Sequence, residues 1–152
     1  MKPITTVLAT AGAIAVSVFA IVLVADGGNI QSTPEAARAR LERGEYLVTR
    51  VGLCIDCHTP HNEHGELVTE KQLQGSTLIA VPTVPMPWAA TAPRIAGLPT
   101  GYSRDDLVHF LVTGERPRGL PPPLPPMPPY RMNREDAEAA TAYIESLPTG
   151  LP

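Results

Sequence analysis

The sequence predicts an all-α fold, a small helical domain with long proline-rich loops preceded by one N-terminal transmembrane helix. Three observations predict it. Helix-start signals stand ahead of Pro34, Arg104 and Arg134, eight prolines crowd the stretch from Pro117 to Pro129, and no charged residue occurs from Pro3 to Ala25. The 152 residues divide at the end of the apolar run, with 1–28 forming the anchor and exit linker and 29–152 forming one domain. The second part is long enough for one compact unit and not for two.

The N-terminal run is rich in Ala, Val, Ile and Leu. At a rise of about 1.5 Å per residue, a helix from Pro3 to Ala25 is just long enough to cross a hydrocarbon core. A secretory signal has an apolar run of only about 7 to 15 residues ended by small residues. Leu23-Val24-Ala25 is a mediocre cleavage site, so length favours an uncleaved anchor over a removed signal. No cysteine follows the run to take a bacterial lipid at that point. Lys2 and the terminal amine precede it and Asp26 follows, which places the N-terminus in the cytoplasm and the rest outside. The expected location is therefore the cell membrane, single-pass, with the domain on the periplasmic side. Asp26-Gly27-Gly28-Asn29 reads as a flexible exit.

Ser32 or Thr33 caps the first helix of the domain, with Pro34 in the first turn and Glu35 three residues after Ser32 as a capping box. Ala37, Leu41, Tyr46, Leu47 and Val51 give it an apolar side. Gly44 interrupts that side at a cost of about 1 kcal/mol against Ala, which points either to close approach by another backbone or to a break in the helix. A second helix starts after Ser103, with Asp106 three positions on, and carries Leu107, Phe110 and Leu111 to a stop near Gly114. A third follows Asn133 and carries Ala137, Ala140, Tyr143, Ile144 and Leu147 to a stop at Pro148-Thr149-Gly150. The prolines between Pro117 and Pro129 exclude helix and sheet interior, so an extended polyproline-like wall is expected there. A disordered linker is the alternative, but Leu120, Leu124 and Met127 offer the wall apolar contacts.

Charge excludes one class of partner. Of the 12 basic and 15 acidic residues, only Lys2 and Asp26 precede Gln31, so the domain carries eleven against fourteen. No basic patch stands out, and a nucleic-acid role is unsupported. The chain has no internal repeat.

The only two cysteines, Cys54 and Cys57, stand in the run Cys54-Ile55-Asp56-Cys57-His58. A C-x-x-C-H run reads as covalent c-type haem attachment. Two thiols three positions apart can each form a thioether to one vinyl group of the same porphyrin, and the adjacent imidazole then reaches the iron. Other uses of the pair fit less well. A thioredoxin-like motif wants a βαβ setting. A structural zinc site needs a second ligand pair, which only His61 and His64 could supply. A disulfide across two residues closes too short a loop to stabilise much.

With the haem motif after one helix, a Met-Pro step late in the chain and a final Ala-Tyr-Ile helix, residues 33 to 148 resemble a class I cytochrome c domain. The likeness is closest to membrane-anchored or dehydrogenase-associated bacterial cytochromes, through Gly44-Glu45-Tyr46-Leu47 ahead of the haem motif and Met127-Pro128-Pro129-Tyr130 ahead of the last helix. The resemblance implies one covalently bound haem c, joined outside the cytoplasm. It also implies that the first and last helices cross, with Gly44 the thin point near Tyr143. The proline-rich stretch from Gly119 to Met127 departs from the shortest members of the family.

His58 is the expected proximal iron ligand. For the sixth position Met127 is preferred, because its separation from Tyr143 is similar to that between the axial Met and the last-helix aromatic in this family. Met86, in Pro85-Met86-Pro87, is the rival, while Met132 lies too close to the helix that Asn133 caps and suits the core. His61, His64 and His109 read as surface residues. Trp88, Arg94 and Tyr102 fall where similar cytochromes wrap the haem edge, and each can donate to a propionate. The plainer alternative makes Trp88 core filler and Arg94 a solvated charge.

His-Met ligation leaves the iron no vacant position, so the implied function is single-electron transfer and not enzymic catalysis. The donor would be a quinol-oxidising complex or a dehydrogenase, and the acceptor a terminal oxidase or a photosynthetic reaction centre. One alternative is a haem sensor or peroxidase-like enzyme with an open sixth position. Another is a fixed haem-relay subunit of a large membrane complex, its anchor packed through Ala9, Ala13 and Ser17.

Overall fold

Thr33 begins the chain that the structure, a computed structural model, describes as residues 33–150. Its hydroxyl accepts from the Ala36 amide at 3.1 Å, and Pro34 follows in the first turn, where a missing N–H leaves no bond unmade. Helix α1 spans Pro34–Tyr46 and passes straight into a π turn, Leu47–Val51. Leu53 then adopts a left-handed conformation at φ 51° and swings the chain into the short helix α2, Cys54–His58.

A loop containing a 3₁₀ turn at Thr69–Lys71 leads to strand β1, Ser76–Thr77, which pairs antiparallel with β2, Thr91–Ala92. Helix α3, Arg104–Thr113, opens on a capping box. The Ser103 hydroxyl accepts from the Asp106 amide, and the Asp106 carboxylate accepts from the Ser103 amide at 2.9 Å. It stops at Gly114, whose φ of 80° is the left-handed turn that ends a helix without a Cβ penalty. Asn133 caps α4, Arg134–Ser146, by accepting from the Asp136 amide at 2.8 Å. No helix or strand interrupts residues 114–133.

The tightest approach in the fold is between α1 and α4. A Cβ placed on Gly44 would stand 2.1 Å from the Ala139 carbonyl oxygen and 2.8 Å from the Tyr143 Cβ, so the two backbones meet where only glycine fits. Around this crossing Leu47, Val48, Ala137, Ala140 and Ile144 are buried, joined by Leu107, Val108, Phe110 and Leu111 of α3. Across the rim, Arg43 donates to Asp136 through Nε at 2.8 Å and a second nitrogen at 3.1 Å. Leu73, fully buried, ties the loops to this core. Its amide donates to the Thr59 hydroxyl at 3.0 Å, and its carbonyl accepts from Ile95 and Ala96 at 2.9 and 3.1 Å.

The fold differs from the all-α expectation in containing the β1–β2 pair, so the domain is mostly helical with a small antiparallel sheet. Two residues on each side are too few to show the period-two alternation by which a strand is read from sequence. The transmembrane helix and the single-pass membrane location are corrected as well. Among the described residues, no helix is long and apolar enough to cross a membrane. Residues 1–28, on which that expectation fell, lie outside the described residues.

Gly44→Ala should destabilise the protein by at least about 1–3 kcal/mol, because the facing atom is a backbone carbonyl that cannot rotate away. Urea unfolding measures it, and an unchanged midpoint would contradict the crossing. The Arg43 hydrogen bonds hold the Asp136 carboxyl below the usual carboxylate range. A depressed folded-state pKa stabilises above the unfolded value of about 3.9, and that contribution is lost as pH falls through the folded value. The Tm deficit of Asp136→Asn should therefore be open at pH 7 and close as the pH drops below about 4, as followed by thermal melts across pH.

Candidate functional site

Helix α2 is five residues long, and its pitch brings Cys54, Cys57 and His58 to one side, since positions three and four apart are neighbours on a helix. The left-handed turn at Leu53 gives α2 its direction, and the Gly52 amide closes the preceding π turn on the Leu47 carbonyl at 2.7 Å. Both thiols are free. Cys54 is buried, which pushes its thiol up to about 11, and burial raises Cys57 too, with Asp56 adding to it. The Tyr130 hydroxyl lies beside the Cys54 sulfur and donates to the Gly52 carbonyl.

His58 is buried, with Nδ1 2.7 Å from the Pro93 carbonyl oxygen. A carbonyl can only accept, so Nδ1 carries the proton and Nε2 keeps its lone pair. Burial lowers the His58 pKa by more than the Pro93 carbonyl raises it, which favours the neutral ring. A neutral imidazole whose second nitrogen is tied to the backbone is the form a metal-ligating histidine takes.

These residues line a cavity of about 600 Å³, within the range of small-molecule and cofactor sites. Leu107, Phe110 and Leu111 of α3 and Ile144 of α4 form part of its wall, and the proline stretch from Pro121 to Pro128 forms another part. Met127 lines the same cavity, and its amide donates to the Leu124 carbonyl at 3.2 Å. Tyr102 also lines it, edge-on to Phe110 with ring centroids 6.1 Å apart. The lining is mostly apolar, and among the described residues Arg116 is its sole Lys or Arg. Arg116 Nε donates to the Tyr102 hydroxyl at 2.8 Å and Nη1 to the Pro121 carbonyl at 2.8 Å, with the guanidinium 5.8 Å over the Tyr102 ring.

Of the residues expected at a haem edge, only Tyr102 reaches the cavity. Trp88 instead donates from Nε1 to the Ala80 carbonyl at 2.9 Å, and Arg94 donates to the carbonyls of Ala96 and Leu98. Neither side chain lines the cavity, because each donor is taken up by backbone within its own loop. Arg116 takes the place expected of Arg94. It sits between a helix stop and the first proline of the wall, where no spacing rule singles it out.

Met86 is exposed and away from the cavity, and Met132 packs on the core with its amide on the Leu111 carbonyl at 3.0 Å. His64 and His109 are exposed, with Glu63 and Glu115 as neighbours at 3.7 and 3.5 Å, and His61 lies in a backbone bridge with Leu67. Among the described residues, no group of three or more His, Cys, Asp and Glu side chains is disposed to hold a metal ion. Cys54, Cys57, His61 and His64 are not gathered into such a group.

No family model matches the chain, and no curated protein matches it either.

The donor set and the cavity fit a covalently attached haem. Two free thiols, a neutral imidazole with its Nε2 unprotonated and a methionine sulfur line one apolar cavity, and these are the donor types that thioether attachment and axial ligation require.

Tyr130→Phe removes the donor to the Gly52 carbonyl ahead of α2 while leaving the ring in place. A loss of about 1 kcal/mol is expected in denaturant unfolding, and no loss would show that the hydroxyl does not hold that turn.

Proposed function

We propose that this chain is a mono-haem c-type cytochrome, an electron-transfer protein that passes single electrons between redox proteins. The observation that carries this reading is the meeting of Cys54, Cys57, His58 and Met127 on one apolar cavity. Cys54 and Cys57 would hold the haem by thioether bonds, and His58 and Met127 would be its axial ligands. Haem, when bound, supplies a reversible one-electron couple at its iron.

The chain's own residues suit that task. Nδ1 of His58 is held by Pro93, which orients the ring and leaves Nε2 to donate. Leu107, Phe110, Leu111, Pro121, Pro122, Pro123, Pro126 and Pro128 give the cavity an apolar lining. A low-dielectric wall and a neutral sulfur donor both disfavour the added charge of an oxidised centre, which raises its potential. The donor is then a quinol-oxidising complex or a dehydrogenase, and the acceptor a terminal oxidase or a photosynthetic reaction centre.

Cys54→Ser with Cys57→Ser should abolish pigment that stays with the chain through denaturing electrophoresis, and pigment that still migrates with it would remove the thioether reading. Met127→Ala should allow the reduced protein to bind carbon monoxide and should lower its potential. If the untreated protein already binds carbon monoxide at neutral pH, a sensor or peroxidase-like role replaces electron transfer.

A further inference from the structure

Between β1 and β2 the chain forms a tongue, residues 78–90, closed at its base where the Leu78 amide donates to the Ala90 carbonyl at 2.9 Å. Ile79, Val81 and Val84 are 76%, 78% and 61% exposed, and Met86 is exposed beside them. Single exposed aliphatics are ordinary, but a cluster on one loop marks a surface for contact. The tongue is also uncharged. From Gln72 to Pro93 the chain holds no Asp, Glu, Lys, Arg or His.

Its shape is already set. Trp88 Nε1 donates across it to the Ala80 carbonyl at 2.9 Å, and the Ala89 amide donates to the Pro125 carbonyl at 2.8 Å. Pro82, Pro85 and Pro87 restrict the backbone between those ties. A surface fixed in this way loses little conformational freedom on binding, which favours association through modest apolar area. At its root the tongue becomes the cavity wall, since Leu78 and Ala89 line the cavity next to Leu124, itself exposed.

We propose that the tongue is the docking surface for a redox partner protein whose contact face is apolar and uncharged, an inference that rests on the haem reading above. Continuity with the cavity wall selects this occupant, because a protein seated on the tongue is brought against the wall of the site from which an electron leaves. A lipid surface would take up the aliphatics but has no use for that adjacency. The missing charge selects the chemistry of the face. An ion on the partner would lose its water against Ile79, Val81 and Val84 with no counter-ion to replace it. Binding should therefore owe little to electrostatic steering, and salt should leave its rate almost level.

The test uses the full chain, with covalently held pigment read first. Reduced protein is mixed with an oxidised blue-copper protein whose copper edge is apolar and uncharged, and separately with ferricyanide, a small anion that needs no docking face. The wild-type rate with the copper protein should stay level between about 0.02 and 0.5 M salt. Val81→Asp and Ile79→Asp should each slow it about tenfold or more while leaving the ferricyanide rate and the Tm unchanged. Rates with the copper protein that the variants do not lower, or that collapse with salt in the wild type, would overturn the docking surface. So would a wild-type dimer on sedimentation that Val81→Asp splits, or co-sedimentation with phosphatidylcholine vesicles that Val81→Asp abolishes. A colourless chain would overturn the haem reading itself, and the redox partner with it.

Discussion

The closest constraint on this domain is a contact of backbone on backbone, where Gly44 of α1 meets the Ala139 carbonyl of α4. Only a residue without a Cβ allows that approach, and the approach sets the depth at which the two helices cross. Leu47 and Val48, three and four residues after Gly44, are thereby carried into the core, and the π turn that contains them delivers the chain to Leu53 and α2. The same crossing fixes Ile144, which lines the cavity and whose carbonyl accepts from the Gly97 amide at 2.9 Å. The positions of α2 and of part of the cavity wall thus both follow from it.

Around the cavity, His58, Tyr130 and Arg116 each find a backbone carbonyl oxygen, so these donors are paired at the edge of a mostly apolar lining. His58 donates to Pro93, Tyr130 to Gly52, and Arg116 to Pro121 and Tyr102. Each bond also joins segments distant in sequence or anchors the proline wall. The His58 bond links α2 to the residue after β2, and the Leu73 bonds link the loop after α2 to the segment that contains Ile95. Holding the site and closing the fold are here largely the same set of interactions, and His58 is kept neutral by the burial that results.

The starts of the three long helices and the stop of α3 were legible because their signals are local. Thr33, Ser103 and Asn133 cap from within three residues, and Gly114 stops α3 through its own backbone preference. The Cys54, Cys57 and His58 cluster was legible for a similar reason, since helical pitch alone gathers positions three and four apart. Gly44 was readable as a close approach, and its unbroken helical setting removes the alternative of a helix break. The β1–β2 pair was not readable, because Ser76-Thr77 and Thr91-Ala92 are too short to carry a pattern and pair only across the tongue. The donors of Trp88 and Arg94 suit a carboxylate in the abstract, but nearby carbonyls reach them first.

By itself the sequence determined what depends on neighbours along the chain: the three long helices, their caps, the proline-rich stretch between the last two, and the spacing of the cysteine and histidine side chains. Tertiary structure decided what depends on loop paths. It brought Met127 and Arg116 to the cavity, left Met86, Trp88 and Arg94 off it, and paired two short strands to raise an apolar tongue beside it. Propensity and capping act within a few residues, whereas the path of a long loop is settled by which distant backbone donor and acceptor it can satisfy, and that partner is defined only once the helices have packed.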